Sequence, residues 1–177
     1  MSPRSLQGEP VLVLGASGFV GRWVARECVR RGARVRAQAR EPGRFPAAFR
    51  AGLELVQADL TEPGSVERLV AELRPTVVFN AAGYGVAKNE CDAGLMRRLN
   101  LELVQELAEA LPSDDGRVRL VHIGSALEAG PGPASLDESA PLAPSEPDGI
   151  TKAAASAWLA SARERVPNLV ARAFTVF

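Results

Sequence analysis

The sequence predicts an α/β protein: a doubly wound, parallel sheet of about six strands with helices on both faces. Three observations predict it. Short apolar runs recur along the 177 residues and alternate with stretches of helical periodicity. The first run, VLVLG, is apolar at every position before its glycine, as a strand buried on both faces must be. A three-glycine turn, GASGFVG, follows directly and opens a helix.

Val11 to Gly15 is the first strand. From Phe19 the period changes: Val20, Val24, Cys28 and Val29 share a helical face, Arg22, Arg26 and Arg30 lie elsewhere, and Gly32 stops the helix. ARVRAQA, from Ala33, is a second, less apolar strand, followed by a turn region rich in Pro, Gly and Arg through Arg50. LELVQADL, from Leu53, is the third strand and ends in Asp59. PGSVERLVAEL gives a helix with Val66, Leu69, Val70 and Leu73 inward and Ser65 as a candidate cap. PTVVFNAAG, from Pro75, is a fourth strand running into a small-residue loop.

Asp92 to Leu111 reads as one long helix, with a leucine at every fourth position from Leu95. RVRLVHIGS, from Arg117, is the fifth strand. About 20 residues rich in Pro, Gly and Ser follow, and a loop of that length usually has a function. A helix from Ile150 to Val166 and a sixth strand, LVARAFTVF, complete the series. Residues 1–9 are expected to be a flexible N-terminus. Residues 10–177 are expected to form one dinucleotide-binding domain, cut off after the sixth strand. The chain is then a fragment, a naturally short protein, or half of a two-chain assembly.

Formal net charge is zero, from 21 basic and 21 acidic residues, so no large positive field exists to hold nucleic acid. Only Lys88 and Lys152 are lysines; in so Arg-biased a chain, arginine patches carry little functional weight. No run reaches membrane-spanning length and MSPRSLQGEP lacks the apolar core of a signal, so a cytoplasmic protein is expected. Cys28 and Cys91 read as free thiols, and with one histidine no zinc site is expected.

The turn carries the first chemistry. Gly15 permits a tight bend, Gly18 lets the backbone approach a pyrophosphate, and Gly21 lets helix and sheet pack closely. The free N–H groups of the helix start attract phosphate. The position that would carry an acid for an unphosphorylated ribose instead shows Gln38, Ala39 and Arg40. Arg40 can pair with a 2'-phosphate, which predicts NADP(H) over NAD(H); the plainer reading is a solvent-facing arginine. Asp59 ends the third strand beside the same pocket, to accept the adenine amino group or to cap the next turn.

These features together resemble the extended short-chain dehydrogenase/reductase family of the NAD-dependent epimerase/dehydratase type, over residues 10–177. GASGFVG is similar to the family's glycine turn, and Asp59 in QADLTEP to its adenine acid. NAAG matches the strand end against the cofactor, Asn100 in RRLNLELVQEL the helix asparagine, and Ser125 in HIGSAL the catalytic Ser or Thr. ESAPLAP resembles the loop before the active helix, and ARAFTVF the sixth strand. The resemblance implies a cofactor site of Gly15, Ser17, Gly18, Phe19, Val20 and Gly21 from the turn. Arg40, Asp59 and Leu60 would join it, with Asn80, Ala81, Ala82, Gly83 and Lys152. It implies a catalytic group of Ser125, Lys152 and Asn100.

The departure from the family pattern is at its Tyr-x-x-x-Lys. Lys152 is in place, and Asp148 stands where the tyrosine is expected. A spacing of four puts both on one helical face. An ionised Asp is acceptor-only and shorter than Tyr, so ordinary hydride-transfer chemistry should be weak or absent. Asp148 reads as a remnant of a lost reaction, as a different acid/base, or as a helix N-cap. Tyr84, the one tyrosine, could replace the phenol or simply pack against the loop. His122 reads as a packed neutral residue, and Trp23 and Trp158 as packing residues.

The resemblance implies an NAD(P)-dependent oxidoreductase or epimerase-like protein acting on a carbonyl or hydroxyl substrate, such as a sugar nucleotide or a natural-product intermediate. The other reading is a nucleotide-binding regulator or partner subunit without turnover. The family's C-terminal substrate lobe is expected to be missing from residues 1–177. Expected partners are a small molecule and a second copy through residues 92–111 and 150–166, or another chain supplying the lobe.

Overall fold

A computed structural model describes residues 5–85, 89–113, 118–131 and 140–174. Parts of several sequence segments fall outside them: residues 1–4 of the N-terminus, Lys88, the start of RVRLVHIGS at Arg117, residues 132–139 of the Pro/Gly/Ser-rich loop with Glu138 and Ser139 of ESAPLAP, and the last three residues of the expected sixth strand. Six parallel strands form one sheet: β1 (Pro10–Leu14), β2 (Arg34–Ala39), β3 (Leu53–Gln57), β4 (Val77–Asn80), β5 (Arg119–Ser125) and β6 (Asn168–Ala173). Their order is β3-β2-β1-β4-β5-β6. β1 pairs with β2 on one side and with β4 on the other, Val11 opposite both Val35 and Val77. The chain therefore reverses its direction of travel across the sheet between β1 and β4. The crevice at such a reversal, beyond the C-terminal strand ends, is where α/β sheets take ligands.

Alternate residues of one strand face opposite sides. Leu12 and Leu14 join Val78 and Leu120 on one face, under Leu103, Leu107 and Leu159. Val11 and Val13 join Val35 and Ala37 on the other, under Ala25, Cys28 and Phe45. Helix α1 (Phe19–Arg30) covers the second face. Helix α2 (Ser65–Leu73) packs on the first, together with the two later helices that carry Leu103, Leu107 and Leu159.

Several boundaries differ from the expected ones. Ser65 does not cap α2: Gly64 is the N-cap, and the buried Ser65 hydroxyl has no partner among the described residues. The long helix is three pieces: α3 (Ala93–Arg97), a π turn (Arg98–Glu102) and α4 (Leu103–Ala110). A four-residue leucine spacing exceeds the 3.6-residue α repeat, and the wider π turn takes up that difference. It also turns Asn100 inward, where it is 1% exposed. Helix α5 spans Pro147–Ser161, beginning three residues earlier than expected. Asp148 therefore lies inside its first turn, and Glu146 is the N-cap. The N-cap reading of Asp148 is thereby corrected. Trp23 packs edge-on against Phe49, with ring centroids 4.8 Å apart, yet stays half exposed.

Candidate functional site

The three glycines do separate jobs. Gly15 has φ +67, and a Cβ there would lie 2.6 Å from the Ala82 nitrogen and 2.8 Å from the Ala81 carbonyl. Both the conformation and the space exclude a side chain. A Cβ on Gly21 would collide with the Gly15 carbonyl oxygen. Gly18 caps α1 without a side-chain bond, so the orphan N–H groups of the helix start lie open to a ligand.

Gln38 holds this turn, a role its sequence context did not reveal. Buried at the end of β2, it accepts the Gly15 N–H at 2.8 Å through Oε1. Its Nε2 donates to the Ala58 carbonyl at 2.7 Å. One amide thus ties the turn after β1 to the segment after β3.

A cleft of about 240 Å³ lies above these strand ends, lined by Gly15, Ser17, Gly18, Arg40, Asp59 and Leu60 and by the Ala81–Gly83 loop. Asp59 Oδ1 accepts from the Thr61 N–H at 2.9 Å and the Thr61 hydroxyl at 2.7 Å. Those bonds, with Arg40 adding a smaller attraction, hold its carboxyl below the usual carboxylate range. Asp59 therefore both caps its turn and faces the cleft.

A second cavity of about 550 Å³ shares Gly18 and the Ala81–Gly83 loop. Phe19, Val20, Glu90, Ser125 and Lys152 also line it, with Phe174 from the chain beyond β6. Ser125 ends β5, and its Oγ accepts the Leu127 N–H at 3.2 Å. Beneath it lies Glu128, 0% exposed. Glu128 accepts from the Ser125 N–H at 2.8 Å, the Ser156 hydroxyl at 2.6 Å and the Arg172 Nε at 2.9 Å. This carboxylate joins β5, α5 and β6 directly under Ser125. In the sequence it is one more glutamate in a loop.

Three predicted residues stand behind the walls instead of lining them. Asp148, 5% exposed, meets the Lys152 Nζ at 3.2 Å through Oδ1. The same oxygen accepts from Asn100 Nδ2 at 3.1 Å. Asn100 also grips the Tyr84 main chain from both sides, accepting its N–H at 2.9 Å and donating to its carbonyl at 2.8 Å. It thereby fixes the loop bearing Tyr84. Asn80, 0% exposed, spends Oδ1 on the Ala82 N–H at 3.1 Å and sets Nδ2 3.3 Å from His122 Nδ1. Burial holds the His122 imidazole down at about 4, Lys152 adding to that and Glu128 opposing it. Asn80 thus supports the loop from below.

Two clefts, a glycine turn aimed at a helix start and a shared floor loop fit a dinucleotide lying across the strand ends. That defines a dinucleotide-binding α/β protein. The chain belongs to the NAD dependent epimerase/dehydratase family, whose pattern matches residues 11–177. It is 34% identical over 168 residues to a dTDP-6-deoxy-L-talose 4-dehydrogenase (NAD(P)(+)) of Kitasatospora kifunensis, covering 92% of this chain and 51% of that one. It is 34% identical over 142 residues to a 3-diazoavenalumate denitrifying reductase of a Streptomyces species, covering 78% and 45%. The chain thus spans about half the length of these curated relatives. Among solved structures, the Thermus thermophilus UDP-glucose 4-epimerase complex with NAD superposes with a TM-score of 0.78 at 25% identity, covering 92% of this chain and 54% of that one. MoeE5 in complex with UDP-glucuronic acid and NAD gives 0.77 at 28% identity, covering 94% and 55%.

These structures correct the NADP(H) expectation: both similar proteins hold NAD. Arg40 is exposed, and its charge adds a smaller attraction to the Asp59 carboxylate across the cleft. Among the described residues no group of three or more His, Cys, Asp or Glu could hold a metal ion. None of their helices is long and apolar enough to cross a membrane.

Proposed function

We propose that residues 10–177 are the NAD-binding domain of an oxidoreductase or epimerase-like enzyme acting on a hydroxyl or carbonyl of a sugar nucleotide or similar compound. One observation carries this: Ser125 and Lys152 line the same cavity as the glycine turn and its floor loop. The turn and α1 would bind the pyrophosphate, with Asp59 and Leu60 at the adenine end. Lys152 would hold the nicotinamide ribose, and the Ser125 hydroxyl would bind the substrate oxygen. Bound NAD would supply the hydride acceptor. Asn100 positions the Tyr84 loop and Asp148.

Asp148 occupies the position of the family's tyrosine, and that favours a second reading: a chain that binds NAD without turnover. The carboxylate sits behind Lys152 and not on the cavity surface, so it does not reach a substrate oxygen as a phenol would. Calorimetric titration with NAD, an assay of NAD reduction across nucleotide sugars, and analysis of the sugar products for epimerisation, which reduces no NAD overall, separate the cases. Binding with turnover supports the enzyme, binding alone supports the second reading, and no binding overturns both. A homodimer through α3–α4 and α5 is supported by the exposed Ile150, 51% accessible on α5. A monomeric mass in light scattering would refute it.

A further inference from the structure

We propose that the Asp148–Lys152 pair biases this site toward the oxidised form of its dinucleotide. The inference rests on the reading above that the site binds NAD. Lys152 Nζ lies 3.2 Å from Asp148 Oδ1, and the two side chains are 10% and 6% exposed. Lys152 also lies against the floor loop: a Cβ on Gly83 would be 3.7 Å from its Cε and 3.9 Å from Nζ. Lys152 is therefore part of the wall on which the nicotinamide end would rest, Asp148 stands directly behind it, and little water screens the pair.

NAD+ and NADH differ in charge only at the nicotinamide ring, which is cationic in the oxidised form and neutral in the reduced form. Adenine, riboses and pyrophosphate contacts are common to both and cancel in the ratio of their dissociation constants. What remains is the charge near the ring. An unpaired Lys152 would repel the cationic ring and favour NADH. A tyrosine at 148, neutral and hydroxyl-bearing, would leave that repulsion in place. Asp148 cancels it, and Asn100 keeps the carboxylate on Lys152 by donating to the same oxygen at 3.1 Å. The residue that weakens the proton-transfer reading thereby acquires a positive role. Glu90 is a carboxylate that lines this cavity, and Arg172 is bound to the buried Glu128. Neither charge changes in the variants below.

The test measures dissociation constants for NAD+ and NADH separately, on the full chain, by calorimetry and by NADH fluorescence with NAD+ competition. Asp148→Asn removes the negative charge and keeps the shape. It should raise the ratio Kd(NAD+)/Kd(NADH) at least about tenfold, the effect of one unit charge about 12 Å away at an effective dielectric of about 20. Adding Lys152→Met restores neutrality and should return the ratio to within about twofold of wild type, even though both affinities fall. Where Asp148→Asn does not fold, Asp148→Tyr makes the same charge change with the family's own residue and should move the ratio the same way. A ratio that stays put while both forms still bind overturns this inference and leaves the NAD reading intact. If wild type binds neither form, the NAD reading fails and this inference with it.

Discussion

The two ends of the proposed cofactor site are built from different materials. The turn from Gly15 to Gly21 is backbone: its shape comes from three missing side chains and a helix start. The wall from Ser125 to Lys152 is side chain: a hydroxyl above the buried Glu128, and a lysine backed by a carboxylate and an amide that bond to one another. A backbone site tolerates almost any neighbour that leaves its path clear. A side-chain site changes meaning when one residue changes, as at Asp148. A domain can therefore keep its ligand at the first end while its chemistry drifts at the second.

The sharpest way to break the comparison is at the first end. Gly15→Val places carbons where Ala81 and Ala82 already sit and demands a positive φ of a β-branched residue. NAD affinity should fall at least about a hundredfold, measured by titration, because the turn itself must move. Retained affinity would mean that the backbone does not form the site.

At the second end the largest expected effect is on stability. Glu128→Ala leaves the Ser125 N–H, the Ser156 hydroxyl and the Arg172 guanidinium without their shared acceptor. Removing one partner of a buried ion pair costs about 3 kcal/mol, and urea unfolding should show a loss of that size. A loss below about 1 kcal/mol would show that the carboxylate is dispensable and the wall is not built on it.

Gln38→Leu tests whether the first end is purely backbone. It strips the Gly15 N–H of its acceptor and leaves the Ala58 carbonyl unpaired. NAD binding should weaken roughly tenfold, the cost of an unsatisfied buried group beside the ligand. An unchanged dissociation constant would place the whole strength of the turn in its glycines.

The same division explains what could be read from the sequence. Strands β1 to β6 were legible because parallel strands are continuous apolar runs, and the turn because its glycines stand at fixed spacing after a strand. Gln38 and Glu128 were not, because their partners, apart from Ser125 three positions from Glu128, lie 20 to 44 positions away and only the fold brings them together. The break in the long helix was hidden because leucines at every fourth position satisfy an unbroken pattern by eye. Asp148 was visible as a substitution, but its burial behind Lys152 was not, since a spacing of four says only that two residues share a face. Arg40 misled because an arginine at that position suits a 2'-phosphate by its charge alone, and its residue type does not show which dinucleotide the site takes.

The smallest effect lies beneath the floor loop, where the two ends meet. Asn80 Oδ1 accepts the Ala82 N–H, so Nδ2 is the atom facing His122 Nδ1. Nδ1 must then be the acceptor, and the ring hydrogen is on Nε2, which has no partner among the described residues. Such a ring stays neutral when folded, down to about 4, while in the unfolded chain it takes up a proton near 6.5. Between those values the unfolded state binds more protons, so this residue's contribution to stability is complete above 6.5 and is lost as pH falls toward 4. His122→Leu should flatten the stability profile in that window by up to about 1.4 kcal/mol per pH unit, one proton's worth. Acids such as Asp59, whose carboxyl is also held low, titrate in both proteins and cancel in the comparison. Urea midpoints at about pH 7, 6, 5 and 4.5, spanning that window, would show it. Parallel profiles for the two proteins would mean that His122 protonates freely in the fold, and that the floor loop does not depend on a neutral ring beneath it.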